Sequence, residues 1–124
     1  MNKYELESRL IDFSVSAIKL SYKMNRSYVA KHLSSQLVRS GTSVSLNYGE
    51  AMSGESLKDF IHKMKIILKE LRESHICLKI VEKANLCSDL ISLNRVKTEN
   101  NELISIIVAS INTASKRQKW ENKD

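Results

Sequence analysis

Proline is absent from the 124 residues and glycine occurs three times. These two residues carry the largest penalties in a helix interior, so their scarcity suits long, uninterrupted helices. Cysteine occurs twice, at Cys77 and Cys87. Two thiols with no secretion signal exclude a disulfide framework, and both read as free and buried. No apolar run approaches the ~20 residues needed to cross a bilayer, and the charged opening MNKYELESR has no signal-peptide core. A cytoplasmic chain without membrane contact is expected. No composition shift or linker divides the sequence, so residues 1–124 read as one domain with a single core.

What is present is helical periodicity. Leu6, Leu10, Phe13, Ala17, Leu20 and Met24 repeat at steps of three and four, and Ile11, Val15, Ile18 and Tyr22 form a second stripe beside them. Two stripes give helix one an apolar surface wider than the ~100° that packing on one side requires, so burial against both the bundle and another subunit is expected. The pattern predicts helices over about 3–24, 28–52, 56–83 and 88–116, with a frayed basic tail over 117–124. Asn25 or Ser27 caps the second helix, Ser56-Leu57-Lys58-Asp59 has the form of a capping box, and Ala84-Asn85 ends the third helix. The run KTENNE at 97–102 is polar enough for a local break in the fourth. Short connections make neighbouring helices antiparallel, so the expected fold is an all-α, up-down-up-down four-helix bundle.

Gln36, Ser40, Ser43, Asn47 and Glu50 recur at steps of four, three, four and three, placing a short-side-chain polar stripe on the second helix. Gly41 lies within that helix, and close approach of another helix at Ser40-Gly41 is the reading that offsets its cost. The run RSGTSVSLNYGEA, followed by the helix opening SLKDFIHKMKIILKE, resembles the small bacterial four-helix-bundle proteins encoded within intervening sequences of 23S ribosomal RNA genes. Leu37, Arg39, Ser40, Gly41, Thr42, Ser43, Asn47, Glu50 and Ala51 match the family pattern LLRSGTSxGANxxEA, while Ser45 replaces a usual glycine. Glu73-Ser74-His75-Ile76-Cys77-Leu78 stands where the family favours ETxYWL, so its aromatic pair is missing. The resemblance implies a closed ring of subunits, with a homopentamer as its stoichiometry. A similar bundle serves as the accessory protein of diversity-generating retroelements, working with a reverse transcriptase and an RNA template, and that role is the alternative reading. A purely structural oligomer is the third.

Twenty Lys and Arg against fourteen Asp and Glu give a net charge of +6, which favours polyanionic partners. On the third helix Lys58, His62, Lys65, Lys69, Arg72 and Lys79 fall within one ~100° sector. Such a ridge can contact phosphates without reading bases, and Lys116, Arg117 and Lys119 add tail cations. The bland counterpart is a solvated helix face, and no Tyr or Trp interleaves the ridge to stack bases. Arg39, Asn47 and Glu50 are expected to meet Lys63, Glu70 and Glu73 in a polar network that sets helix register.

Catalytic constellations do not form in this pattern. Di-iron bundles need Glu-x-x-His on two helices, and none occurs here. His32, His62 and His75 are not spaced i, i+4, and Cys77 with Cys87 forms no Cys-x-x-Cys pair, so no metal site is expected. There is no nucleophile elbow, P-loop or dinucleotide fingerprint. The sequence therefore leads to a non-enzymatic, cofactor-free homo-oligomer that binds RNA or DNA with weak sequence preference.

Overall fold

Among the described residues the chain forms four α-helices: α1 (Lys3–Lys23), α2 (Tyr28–Met52), α3 (Leu57–Lys83) and α4 (Leu90–Glu121). They are seen in a computed structural model that describes residues 1–122. The starts carry the expected chemistry. Ser27 Oγ accepts from the Ala30 amide, Ser56 Oγ from the Asp59 amide and Asp89 Oδ1 from the Ser92 amide, each satisfying a backbone donor that the helix itself leaves free. Asn2 does the same for α1. Between α3 and α4 the chain reverses through Asn85, at φ 58°, a left-handed conformation that Asn tolerates better than most side chains.

Each helix contributes one stripe to a shared core. Leu10, Phe13, Leu37, Met64, Leu71 and Leu103 are among its fully buried members. In contact terms α1 borders α2 and α4, and α3 borders the same two helices, with the seam between α1 and α4 the thinnest. The seam between α1 and α2 is close. A Cβ built on Gly41 would stand 2.8 Å from the Ala17 Cβ, so the glycine is required by a close helix approach, as its position suggested. Ser14 Oγ donates to the Gly41 carbonyl at 2.6 Å and lies 2.6 Å from Ser45 Oγ, binding the two backbones at that level.

Two expectations for α4 are corrected. The helix runs without a break through 97–102, where four of the six polar side chains find a partner on another helix. Lys97 Nζ meets Glu82 at 2.9 Å, Arg9 grips Glu99 and Glu102, and buried Asn100 donates to the Leu71 carbonyl at 2.9 Å. The tail is also helical as far as Glu121 instead of fraying from 117, in keeping with the absence of any proline or glycine and with an Arg117–Glu121 pair one turn apart. The remainder of the expected tail, 123–124, lies outside the described residues.

Among the described residues no helix is long and apolar enough to cross a membrane. Both cysteines are free and buried. Cys77 Sγ lies 3.4 Å from the Leu33 carbonyl, and burial pushes its thiol up to about 11. Thiolate is the reactive form, so Cys77 should resist iodoacetamide at pH 8 in the native protein and react at the rate of a free thiol once urea unfolds it. Mass-spectrometric labelling at both conditions checks this; rapid native labelling would mean that the α2–α3 seam opens.

Candidate nucleic-acid interface

The basic ridge is built by the periodicity of α3. Its apolar stripe of Ile61, Met64, Ile67, Leu71 and Leu78 is buried, which turns the opposite sector outward. Lys58, His62, Lys65, Lys69, Arg72 and Lys79 are all exposed. Among the described residues none of these five Lys and Arg side chains enters an ion pair, although eight ion-pair contacts are distributed over the rest of the protein. The ridge therefore presents uncompensated charge along about 32 Å of helix at 1.5 Å per residue. Lys83, one turn beyond Lys79, falls in the same sector and is exposed, extending the ridge to the end of α3. The signal for it lies in the same i+3/i+4 spacing, but at a helix boundary that periodicity alone does not fix. Exposed Ile76 and Ile80 interrupt the charge in this half.

Lys116, Arg117 and Lys119 are exposed on the last turns of α4. A cavity at that end of the bundle is lined by Leu57 and Phe60 of α3 together with Thr113 and Arg117 of α4, so the tail cations stand at the Lys58 end of the ridge. Arg117 differs from the others in being engaged by Glu121 at 3.0 Å.

The polar network is smaller than the sequence suggested and falls into two parts. Arg39 binds Glu70 at 3.1 Å and also binds Glu73. Lys63 binds Glu50 separately at 2.9 Å. Asn47 joins neither, because its Nδ2 is satisfied within its own helix by the Ser43 carbonyl and hydroxyl, each at 2.9 Å. The buried link between α2 and α3 is instead Ser40 Oγ to Ser74 Oγ at 2.8 Å, with Ser74 also bonded to the Glu70 carbonyl.

Exposure decides the energetics of these pairs. The Arg39 side chain is 50% exposed and that of Glu50 62%; removing Arg39 leaves Glu70, only 11% exposed, without its partner, whereas removing Glu50 leaves Lys63, 32% exposed. With one partner of each pair open to solvent, the ~3–5 kcal/mol of a pair buried on both sides is not reached. Arg39→Ala should cost about 1 kcal/mol, at the upper end for exposed pairs because Glu70 is largely covered, and Glu50→Ala less than about 0.5 kcal/mol. Urea denaturation at neutral pH checks both; a loss above about 3 kcal/mol for either would restore the buried-network reading. The Arg39 hydrogen bond holds the Glu73 carboxyl below its usual range. A depressed carboxylate stabilises the fold above its unfolded pKa of about 4.3, and that contribution disappears as pH falls through the folded value.

Sequence reasoning missed Arg9, whose guanidinium clamps Glu99 and Glu102 across the seam between α1 and α4. It also missed His75, whose imidazole is driven toward neutrality by burial and by Lys79 and Lys97. Its Nδ1 and the Asn100 Oδ1 are buried without a hydrogen-bond partner.

Four helices around one core, with a cationic face along the third that enters no ion pair among the described residues, define an all-α protein. The chain belongs to the 23S rRNA-intervening sequence protein family, whose model matches residues 3–109. A crystal structure of a protein with unknown function from the S23 ribosomal protein family, from Bacteroides thetaiotaomicron VPI-5482, is similar at TM-score 0.77 and 24% identity, over 90% of this chain and 99% of that one. At that identity the likeness concerns the fold. No curated protein matches the chain.

Proposed function

We propose that the protein is a non-enzymatic, oligomeric nucleic-acid-binding bundle that contacts RNA or DNA phosphates through the α3 ridge and the neighbouring tail cations. The observation that carries this reading is the row Lys58, Lys65, Lys69, Arg72 and Lys79, exposed and outside every ion pair among the described residues. Cations held for fold stability would face the available carboxylates, as Arg9, Lys23, Arg39, Lys63 and Lys97 do. Side chains left free in a line suit a linear array of phosphates, to which each adds a sequence-independent contact.

The same reading takes the topology as up-down-up-down. Partner pairs run in opposite senses on consecutive helices: Ser14 with Ser45 and Lys3 with Tyr48 across α1 and α2, Leu33 with Cys77 and Glu50 with Lys63 across α2 and α3. Copies assemble in a homo-oligomeric ring, supported by apolar side chains that α1 leaves exposed. A ring of five copies at +6 would carry a formal charge of 5 × 6 = +30 and repeat the ridge around its perimeter. The cytoplasm suits both a nucleic-acid ligand and two free thiols. A fluorescence-anisotropy titration of mixed-sequence RNA and DNA at two salt concentrations tests the function. Binding to both at low salt supports it, and no binding at low salt overturns it.

A further inference from the structure

The basic ridge is not uniform along its length. In its first half the exposed centre is held by Lys58, Lys65 and Lys69, whereas from Arg72 to Lys83 the centre is held by Ile76 and Ile80, 55% and 45% exposed. At 100° per residue these two stand about 140–180° around α3 from buried Leu71 and Leu78, so neither serves the core. Scattered aliphatic residues are ordinary on a protein surface. Here two of them lie one turn apart, close enough to form one apolar step, and Arg72, Lys79 and Lys83 enclose it. None of those three cations enters an ion pair among the described residues. Glu73, on the turn before Ile76, is already bound by Arg39.

A ligand for this half must offer anions and apolar surface within a few ångströms of each other. Phosphates alone satisfy the cations and leave the isoleucines wet. The outside of a duplex is phosphate and sugar, and its grooves show base edges, which are polar apart from the thymine methyl. Its base faces are stacked inside. A single strand can turn those faces outward, where they cover an apolar side chain while the adjoining phosphates stay within reach of flanking cations. A second copy of the same face is a poor occupant, because it would bring three cations against three.

We propose that this half of α3 is a single-strand site, in which Arg72, Lys79 and Lys83 hold phosphates while unstacked bases lie on Ile76 and Ile80. The proposal rests on the nucleic-acid reading above and names the form of ligand that its site takes. Aliphatic side chains lack a π face, so the contact is apolar covering at the weak end of what base-stacking platforms provide. It is indifferent to which base is present, in keeping with a weak sequence preference.

Fluorescence anisotropy on the full chain tests this with a mixed-sequence single strand and the duplex it forms with its complement, at 50 and 200 mM salt. Charge alone would favour the duplex, whose phosphates are more densely spaced, so tighter binding of the single strand is the expected sign of the apolar contact. Ile76→Ala together with Ile80→Ala should weaken single-strand binding roughly 25-fold, about fivefold for each lost base contact. The slope of log K against log salt should not change, because no charge is altered. Duplex binding and helicity should stay as in the wild type. Ile76→Phe, which adds a stacking face at a 55% exposed position, should strengthen single-strand binding about fivefold. A duplex bound as tightly as the single strand, or an alanine pair with wild-type single-strand affinity, overturns the single-strand site and leaves phosphate contact standing. No binding of either ligand at low salt removes the nucleic-acid reading and this site with it, so the two failures are distinguishable.

Discussion

Reversing Lys65, Lys69 and Arg72 to glutamate should abolish binding to mixed-sequence RNA and DNA while leaving helicity and oligomeric mass unchanged. All three side chains are exposed and none is paired among the described residues, so the substitution removes no ion pair seen to hold the fold. Their loss changes the local charge by six units, from three cations to three anions, on a surface where the ligand itself is anionic. The wild-type interaction should show the salt dependence of counterion release. If four phosphates are neutralised, the slope of log K against log salt is about −2.8 on single strands and −3.6 on duplex, and a fourfold rise in salt weakens binding roughly 50- to 150-fold. Anisotropy titrations of wild type and variant at 50 and 200 mM salt give both quantities. Wild-type affinity in the triple variant would move the contact to Lys116, Arg117 and Lys119, which stand at the Lys58 end of the ridge. A slope near zero would mean that phosphates are not the contact at all.

The ridge is legible in the sequence because it depends on one periodicity. A buried stripe on α3 fixes which residues face outward, and cations at helical spacing then form a line regardless of the neighbouring helices. The helix starts are legible for a similar reason, since Ser27, Ser56 and Asp89 act locally on the first turns that follow them. Contacts between helices distant in the chain leave no such local trace. Arg9 and Glu99 are 90 residues apart, and nothing near either marks them as partners. The same blindness makes KTENNE look like a break, because Lys97, Glu99, Asn100 and Glu102 bond to α1 and α3 and those helices are invisible to a local reading. Asn47 errs in the opposite direction. Spacing alone assigns it to a neighbouring helix, whereas Ser43 one turn earlier supplies both of its bonds.

Gly41 is where a local penalty and a distant contact meet, and Gly41→Ala should destabilise the protein even though alanine is the better helix former. The propensity gain is about 1 kcal/mol. Against it, the new Cβ would stand 2.8 Å from the Ala17 Cβ, and that atom is fixed to the backbone of α1 and has no rotamer to escape into. Relief therefore requires separating the helices, which also stretches the 2.6 Å bond from Ser14 Oγ to the Gly41 carbonyl. Overpacking of this kind costs about 1–3 kcal/mol, so a net loss of up to about 2 kcal/mol and several degrees in Tm is expected. Ala17→Gly in the same chain should recover the steric part while losing about 1 kcal/mol of propensity in α1, so a double-mutant cycle should return a favourable coupling above about 1 kcal/mol. Gly49→Ala is the control, because it gains the same propensity and meets nothing. It should leave thermal stability equal or higher. If Gly41→Ala raised Tm as Gly49→Ala does, the helices would not be in close contact at this point and the glycine would need another explanation.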